Sequence, residues 1–163
     1  LRQVHFVDTT ILCCLLRIPN FCDDKYMEVE GELLTIINRS ETLILPIACI
    51  IETGNHIAQI NDGNTRRAIA RKFAQYLIDT ADNKAPWSLI NLEWTPDDLR
   101  KFAEIFPDQA MRQVGFGDVS IIDTYEDYIR RTPGVSVRIW STDGHLEAYQ
   151  YVAPEIGRRS RGW

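Results

Sequence analysis

The sequence predicts an α/β fold in which a parallel sheet is wrapped by helices. Two observations carry that prediction. Short apolar runs recur along the chain, each followed by a stretch with helical periodicity. The resulting order is strand, helices, strand, helices, strand, helices, strand, helix, and strands that alternate with helices pair in parallel. There are no internal repeats or linkers, so the 163 residues make one domain large enough for a core of its own. Residues 1–157 are assigned to that domain. Residues 158–163 form a basic tail of a kind commonly disordered at chain ends.

Residues 4–8 read as a short buried strand, rich in Val and Phe and ending in Asp8. Thr9 to Arg17 looks helical, and Pro19-Asn20 breaks it. Tyr26 to Asn38 places Tyr26, Val29, Leu33, Leu34 and Ile37 on one helical face. Leu43-Ile44-Leu45 is a second strand, and Pro46 suits the first position of a helix reaching to about Ile60. Asp62-Gly63-Asn64 is a turn before a long amphipathic helix from Thr65 to about Ala81, and Ser88 to Leu92 is a third strand. Thr95-Pro96-Asp97-Asp98 has the form of a cap, a Pro and first-turn acids, opening a helix that Pro107 should end. Asp118 to Arg131 is another helix, closed by Thr132-Pro133-Gly134. Val135 to Trp140 is the fourth strand, and Asp143-Gly144 turns the chain into a short last helix.

Composition is ordinary, at 45% hydrophobic and 25% charged, with no mark of disorder or a fibrous repeat. A net charge of −5 argues mildly against non-specific nucleic-acid binding, because affinity for phosphate comes from Lys and Arg. A cluster of active-site carboxylates would itself lower the formal charge, and bound cations would restore it. The four cysteines, Cys13, Cys14, Cys22 and Cys49, offer no zinc-ligand spacing. Cys13, Cys14 and Cys49 lie in apolar stretches and read as reduced, buried thiols of a cytosolic protein. No secretory signal is visible and the longest apolar run, 43–51, is too short to span a bilayer, so a cytoplasmic protein with no membrane partner is expected.

Four acids stand where an apolar run ends or a helix begins: Asp8, Glu52, Asp118 and Asp143. A carboxylate at the edge of a core is partly stripped of water and needs a partner. Open parallel sheets bind ligands at the carboxyl ends of their strands, so acids from four segments can face one crevice. The simplest partner for converging carboxylates is a hard divalent cation, which takes oxygen ligands. Each acid also has a plainer role. Asp8 and Asp118 suit helix caps, Asp143-Gly144 is a common turn pair, and Glu52 could rotate to solvent.

The pieces Phe6-Val7-Asp8-Thr9-Thr10, Ile50-Ile51-Glu52, Gly117-Asp118-Val119-Ser120-Ile121-Ile122 and Trp140-Ser141-Thr142-Asp143 together resemble the PIN-domain nucleases, a family that includes the VapC-type toxins. The resemblance covers nearly the whole chain. It implies a three-layer α/β/α PIN-like fold with a central parallel sheet of four to five short strands. It also implies that Asp8, Glu52, Asp118 and Asp143 ligate Mg²⁺ or Mn²⁺, while Thr10 and Ser141 bond to the carboxylates or to water. The implied activity is endoribonuclease cleavage of phosphodiesters by metal-activated water, with DNA a second possible substrate. A homodimer and, for a toxin, a small antitoxin that blocks the crevice are implied as well.

The chain departs from relatives at Thr53-Gly54-Asn55-His56, where Gly54 should weaken the helix by roughly 1 kcal/mol relative to Ala. His56 lies one turn from Glu52, Asp123 points about 140° from Asp118 on an ideal helix, and His145 reads as a helix-start residue. His5 is expected to be structural. Candidate phosphate contacts are Arg66, Arg67, Arg71 and Lys72, then Arg100 and Lys101, then Arg130, Arg131 and Arg138. Trp87, Trp94 and Trp140 are core candidates that could also stack on bases. Two other enzyme-like classes fit poorly. A haloacid-dehalogenase-type phosphatase needs an Asp at position 10 and a late Lys, and a receiver domain also needs the late Lys. No Lys follows Lys101. The competing non-enzymatic reading is a catalytically silent PIN-like module that binds RNA or protein.

Overall fold

A computed structural model describes residues 3–22, 24–90 and 93–154. Five strands form one sheet in the order β3-β2-β1-β4-β5. They are β1 (Gln3–Val7), β2 (Thr42–Pro46), β3 (Trp87–Ile90), β4 (Ser136–Trp140) and β5 (Gln150–Tyr151). Every neighbouring pair is parallel except β4 and β5. The antiparallel β5 has no counterpart in the four strands read from the sequence, because two residues carry no periodicity. The helices are α1 (Thr9–Leu15), α2 (Tyr26–Asn38), α3 (Ile47–Ala58), α4 (Gly63–Ala81), α5 (Pro96–Met111), α6 (Phe116–Arg131) and α7 (Gly144–Glu147).

Side-chain alternation in the strands divides the interior into two cores. Val4, Phe6, Ile44, Val137 and Ile139 point to one face, against Ile121 and Tyr125 of α6 and Leu146 of α7. Val7, Leu43, Leu45, Trp87 and Trp140 point to the other, against apolar residues of α1, α2, α3 and α4. The result is helices on both faces of a central sheet, an α/β/α arrangement. Each fully buried large apolar side chain contributes about 1.5–3 kcal/mol. Phe6, with Tyr125 and Tyr128 edge-on at 6.2 and 5.4 Å, is the largest of them on the α6 face.

One buried polar group is built into the sheet. His5 Nδ1 accepts from Arg138 Nε at 2.7 Å, which leaves Nε2–H to donate to Glu41 at 2.8 Å. Burial lowers the His5 pKa and favours this neutral form. Arg138 and Trp140 both donate to Glu32 of α2, at 2.6 and 2.7 Å. Arg138 therefore fastens α2 to the sheet and does not form a surface group with Arg130 and Arg131.

Several boundaries differ from the sequence reading. Pro107 lies inside α5, and the helix continues to Met111. The carbonyl it frees belongs to the exposed Ala103, where water can bond it, while Phe102, Ile105 and Phe106 hold the helix against Val114 and Val119. Pro46 ends β2 with extended backbone, so α3 starts one residue later. The cap of α6 is Gly115, which puts Asp118 within the first turn. In the third strand, Asn91 and Leu92 lie outside the described residues, as does the basic tail 158–163. Helices α1, α2, α4 and α5 all close through a left-handed residue that is not glycine: Arg17, Ser40, Asn83 and Gln113. In each, the next residue's amide reaches back to a carbonyl of the last turn, as Ile18 does to Cys13 at 3.0 Å.

Cys14 is not a free thiol. It is joined to Cys22 as a disulfide, with Cα atoms 4.8 Å apart, while Cys13 and Cys49 remain free and buried. The backbone reversal at Arg17 and Asn20 brings the two cysteines together, which residue spacing alone does not reveal. Among the described residues, no helix is long and apolar enough to cross a membrane. Peptide mapping without reductant should recover Cys14 and Cys22 in one linked species. Closing a loop of 8 residues is worth about 2–3 kcal/mol in the chain-entropy account, so Cys22→Ser should lower the unfolding free energy by that order in a denaturant titration.

Candidate active site

From β1 the chain moves to β2 and β3 on one side, then crosses to β4 on the other. Such a switch point opens a crevice at the carboxyl ends of the strands. Asp8 follows β1 directly, and Ser141 and Asp143 follow β4. Glu52 enters from the middle of α3 and Asp118 from the first turn of α6. All four acids line one cavity of about 390 Å³.

Asp8 is almost fully buried, at 1% exposure. Its Oδ2 accepts three hydrogen bonds: Thr10 Oγ1 at 2.7 Å, Ser141 Oγ at 2.8 Å and the Thr10 amide at 3.2 Å. Thr10 Oγ1 in turn accepts from the Thr142 amide, and Ser141 Oγ from the Asp143 amide. Asp8 is thus the cap of α1, and through Ser141 it also fixes the loop after β4. Its other oxygen, Oδ1, is buried and has no hydrogen-bond partner among the described residues. Leaving a buried acceptor unmet costs about 1–3 kcal/mol, and more for a charged group.

Glu52 is half-buried. Thr9 Oγ1 donates to its Oε2 at 2.9 Å. Its carboxylate rests against the bare Cα of Gly117: a Cβ there would lie 1.8 Å from Oε1 and 2.3 Å from Cδ. Gly117 therefore makes the space that Glu52 fills. Asp143 is exposed and caps α7 through the His145 amide at 2.9 Å.

Asp118 reports the electrostatics. Its pKa is raised from 3.8 to about 6, first by burial and then by the charges of Asp8 and Glu52. The Gly115 backbone works against the rise, and Asp143 adds to it. Asp118 therefore senses the other three carboxylates across the cavity. Among the described residues, no three His, Cys, Asp or Glu side chains are grouped so as to hold a metal ion. A buried oxygen with no partner, a cradle cleared for a carboxylate and an all-oxygen donor set fit a hard divalent cation. The free cysteines do not offer an alternative nucleophile, since burial pushes Cys13 up to about 12 and Cys49 well above its usual value.

The remaining candidates separate clearly. His56 lines the acidic cavity with its ring 4.5 Å from that of Phe21. Asp123 faces away from it and pairs with Lys101. His145 is exposed beside Tyr149. An added Cβ at Gly54 would meet only ordinary contact with Phe73, so no close backbone approach requires glycine there. Among the described residues, no Lys or Arg lines the acidic cavity. Arg66 caps a turn through the Ile60 carbonyl, Lys72 bonds the Leu15 carbonyl, and Arg100, Arg130 and Arg131 pair with Asp97 or Asp127. Trp87 and Trp140 are core residues, whereas Trp94 is 46% exposed. Sequence reading missed Asn55 and Gln59, which line the cavity from the face of α3 that carries Glu52. Their offsets of three and seven residues from Glu52 were the available signal. Gly117 was legible only as part of the family-like piece, because an absent side chain has no chemistry to notice.

The raised Asp118 pKa fixes the sign of a pH effect. Between 3.8 and about 6 the native protein holds a proton that the unfolded chain has released, so cation-free stability falls as pH rises through that window. Denaturation in EDTA should show this decline in the wild type and a flatter profile in Asp118→Asn. No family model and no curated protein matches this chain, which leaves the chemistry of the cavity as the guide to its role.

Proposed function

We propose that the chain is a divalent-cation-dependent endoribonuclease of the PIN type that hydrolyses phosphodiester bonds. The observation that carries this reading is Asp8 Oδ1, a buried carboxylate oxygen without a partner in a cavity lined by three further acids. Asp8, Glu52, Asp118 and Asp143 would hold Mg²⁺ or Mn²⁺. The cation supplies charge neutralisation for a phosphodiester and lowers the pKa of a water.

The chain's own residues prepare the site. Thr10 and Ser141 occupy Oδ2 of Asp8 and so reserve Oδ1. Thr9 orients Glu52 within the space left by Gly117. Asp118 holds a proton in the cation-free cavity near its raised pKa and gives it up when a cation binds, so cation affinity rises with pH. A catalytically silent RNA- or protein-binding module could keep this fold, but it would have no use for an orphaned acceptor that costs stability. A homodimer and a small antitoxin covering the crevice belong to the same proposal.

The deciding experiment is cleavage of labelled single-stranded RNA and DNA with Mn²⁺, with EDTA, and with Asp118→Asn. Cutting of RNA that needs both the metal and Asp118 is the expected result; undiminished cutting in EDTA or by the variant would sink the assignment. Asp8→Asn should also abolish cleavage while the protein stays folded, because the Asn carbonyl can still accept from Thr10 and Ser141. Gly117→Ala should displace Glu52, a flexible side-chain end, and lower cleavage at least about tenfold without lowering the melting temperature, since Ala is the better helix former.

A further inference from the structure

Beside the acidic cavity lies a larger one of about 460 Å³, and Glu52 and Asn55 line both. Its walls are apolar and aromatic, with Ile47, Ile51, Trp94 and Phe116 all exposed. Trp94 and Phe116 stand edge to face with centroids 5.9 Å apart, and both pack on Phe102, at 5.1 and 5.4 Å. These rings are held from behind, yet Trp94 is 46% and Phe116 39% exposed. Ser120 and Thr124 of α6 add hydroxyl groups to the lining, and among the described residues no Lys or Arg contributes.

We infer that this cavity is a base subsite: it seats the unpaired nucleobase next to the cleaved phosphodiester, with Trp94 as the stacking platform. The inference rests on the proposed nuclease activity and names the part of the substrate read beside the acids. A cavity without cationic lining has nothing to offer a phosphate, whereas exposed, rigid aromatic rings suit the π-face of a base. The cavity's size falls in the range of ligand pockets, and Asn55 and Ser120 can hydrogen-bond a base edge, while Thr124 Oγ1, which donates to the Ser120 carbonyl at 2.8 Å, can only accept. Sharing Glu52 with the acidic cavity puts the base within one nucleotide of the reacting phosphate. Structured duplex would be excluded, because its bases are not available for stacking.

The test separates binding from cutting. Affinity for a short labelled unpaired oligoribonucleotide is measured by anisotropy with Ca²⁺ present, for wild type, Trp94→Ala, Trp94→Phe and Met27→Ala, an exposed control that lines neither cavity. Circular dichroism checks that each variant is folded. Trp94→Ala is expected to weaken binding about tenfold, Trp94→Phe to restore most of it, and Met27→Ala to match wild type. The ratio of wild type to Trp94→Ala should be unchanged by salt, unlike a phosphate contact. Removing one base from the oligonucleotide beside the cut position should reproduce the loss in wild type and add nothing in Trp94→Ala. Equal binding by Trp94→Ala, or losses that multiply, would overturn the subsite. So would a dimer that Trp94→Ala dissociates without any effect on RNA, since a second copy would then be the occupant. If Trp94-dependent binding is seen but Mn²⁺ brings no cleavage, the cavity is a base-binding site of an RNA-binding protein, and the nuclease reading fails with the placement beside a cleaved bond.

Discussion

Asp8 divides its two oxygens between opposite tasks, and the organisation of the crevice follows from that division. One oxygen is saturated by Thr10 and Ser141 and thereby joins the start of α1 to the loop after β4. The other is buried and unmet. Because β1 lies at the centre of the sheet, anything fixed at its carboxyl end is fixed relative to both cores. Thr142 and Asp143 are then positioned by the same hydroxyl groups that hold Asp8. A single carboxylate so placed is both a structural clamp and a stored electrostatic cost.

The helices that carry the other acids are positioned by packing, not by the acids themselves. Cys49 and Ile57 bury α3 against one core, while Ile121 and Tyr125 bury α6 against the other. Glu52 and Asp118 arrive from different helices at the carboxyl ends of the central strands, where burial first, and then the charges of Asp8 and Glu52, raise Asp118. Apolar burial must outweigh that repulsion in the cation-free protein, and at several kcal/mol per core element it can. The pattern matches the general rule that functional sites hold groups which, taken alone, oppose folding.

Much of this was legible in the residues. Strands β1, β2 and β4 announce themselves through apolar runs, and the acids at their ends are visible because a charge beside such a run is unusual. What was not legible has a common physical cause: it depends on tertiary context. The left-handed helix ends at Ser40, Asn83 and Gln113 lack the glycine that normally marks them, and neighbouring backbone hydrogen bonds sustain them instead. Pro107 reads as a stop, yet Phe102 and Phe106 anchor the helix on both sides of it. Arg138 looks like a surface cation until His5 and Glu32 are seen around it. The cysteine pairing depends on a reversal of the chain that no spacing encodes.

Gly117 extends this point into the history of such proteins. A site of this kind is usually judged intact when its acids are all present, and a descendant that has lost activity is expected to show a gap among them. Here one added methyl group in a neighbouring helix would evict Glu52 while every acid stayed in the sequence. Silent relatives could therefore carry a complete set of carboxylates, and an inventory of acids would misclassify them. The residue that lets Glu52 reach the crevice is one with no side chain at all.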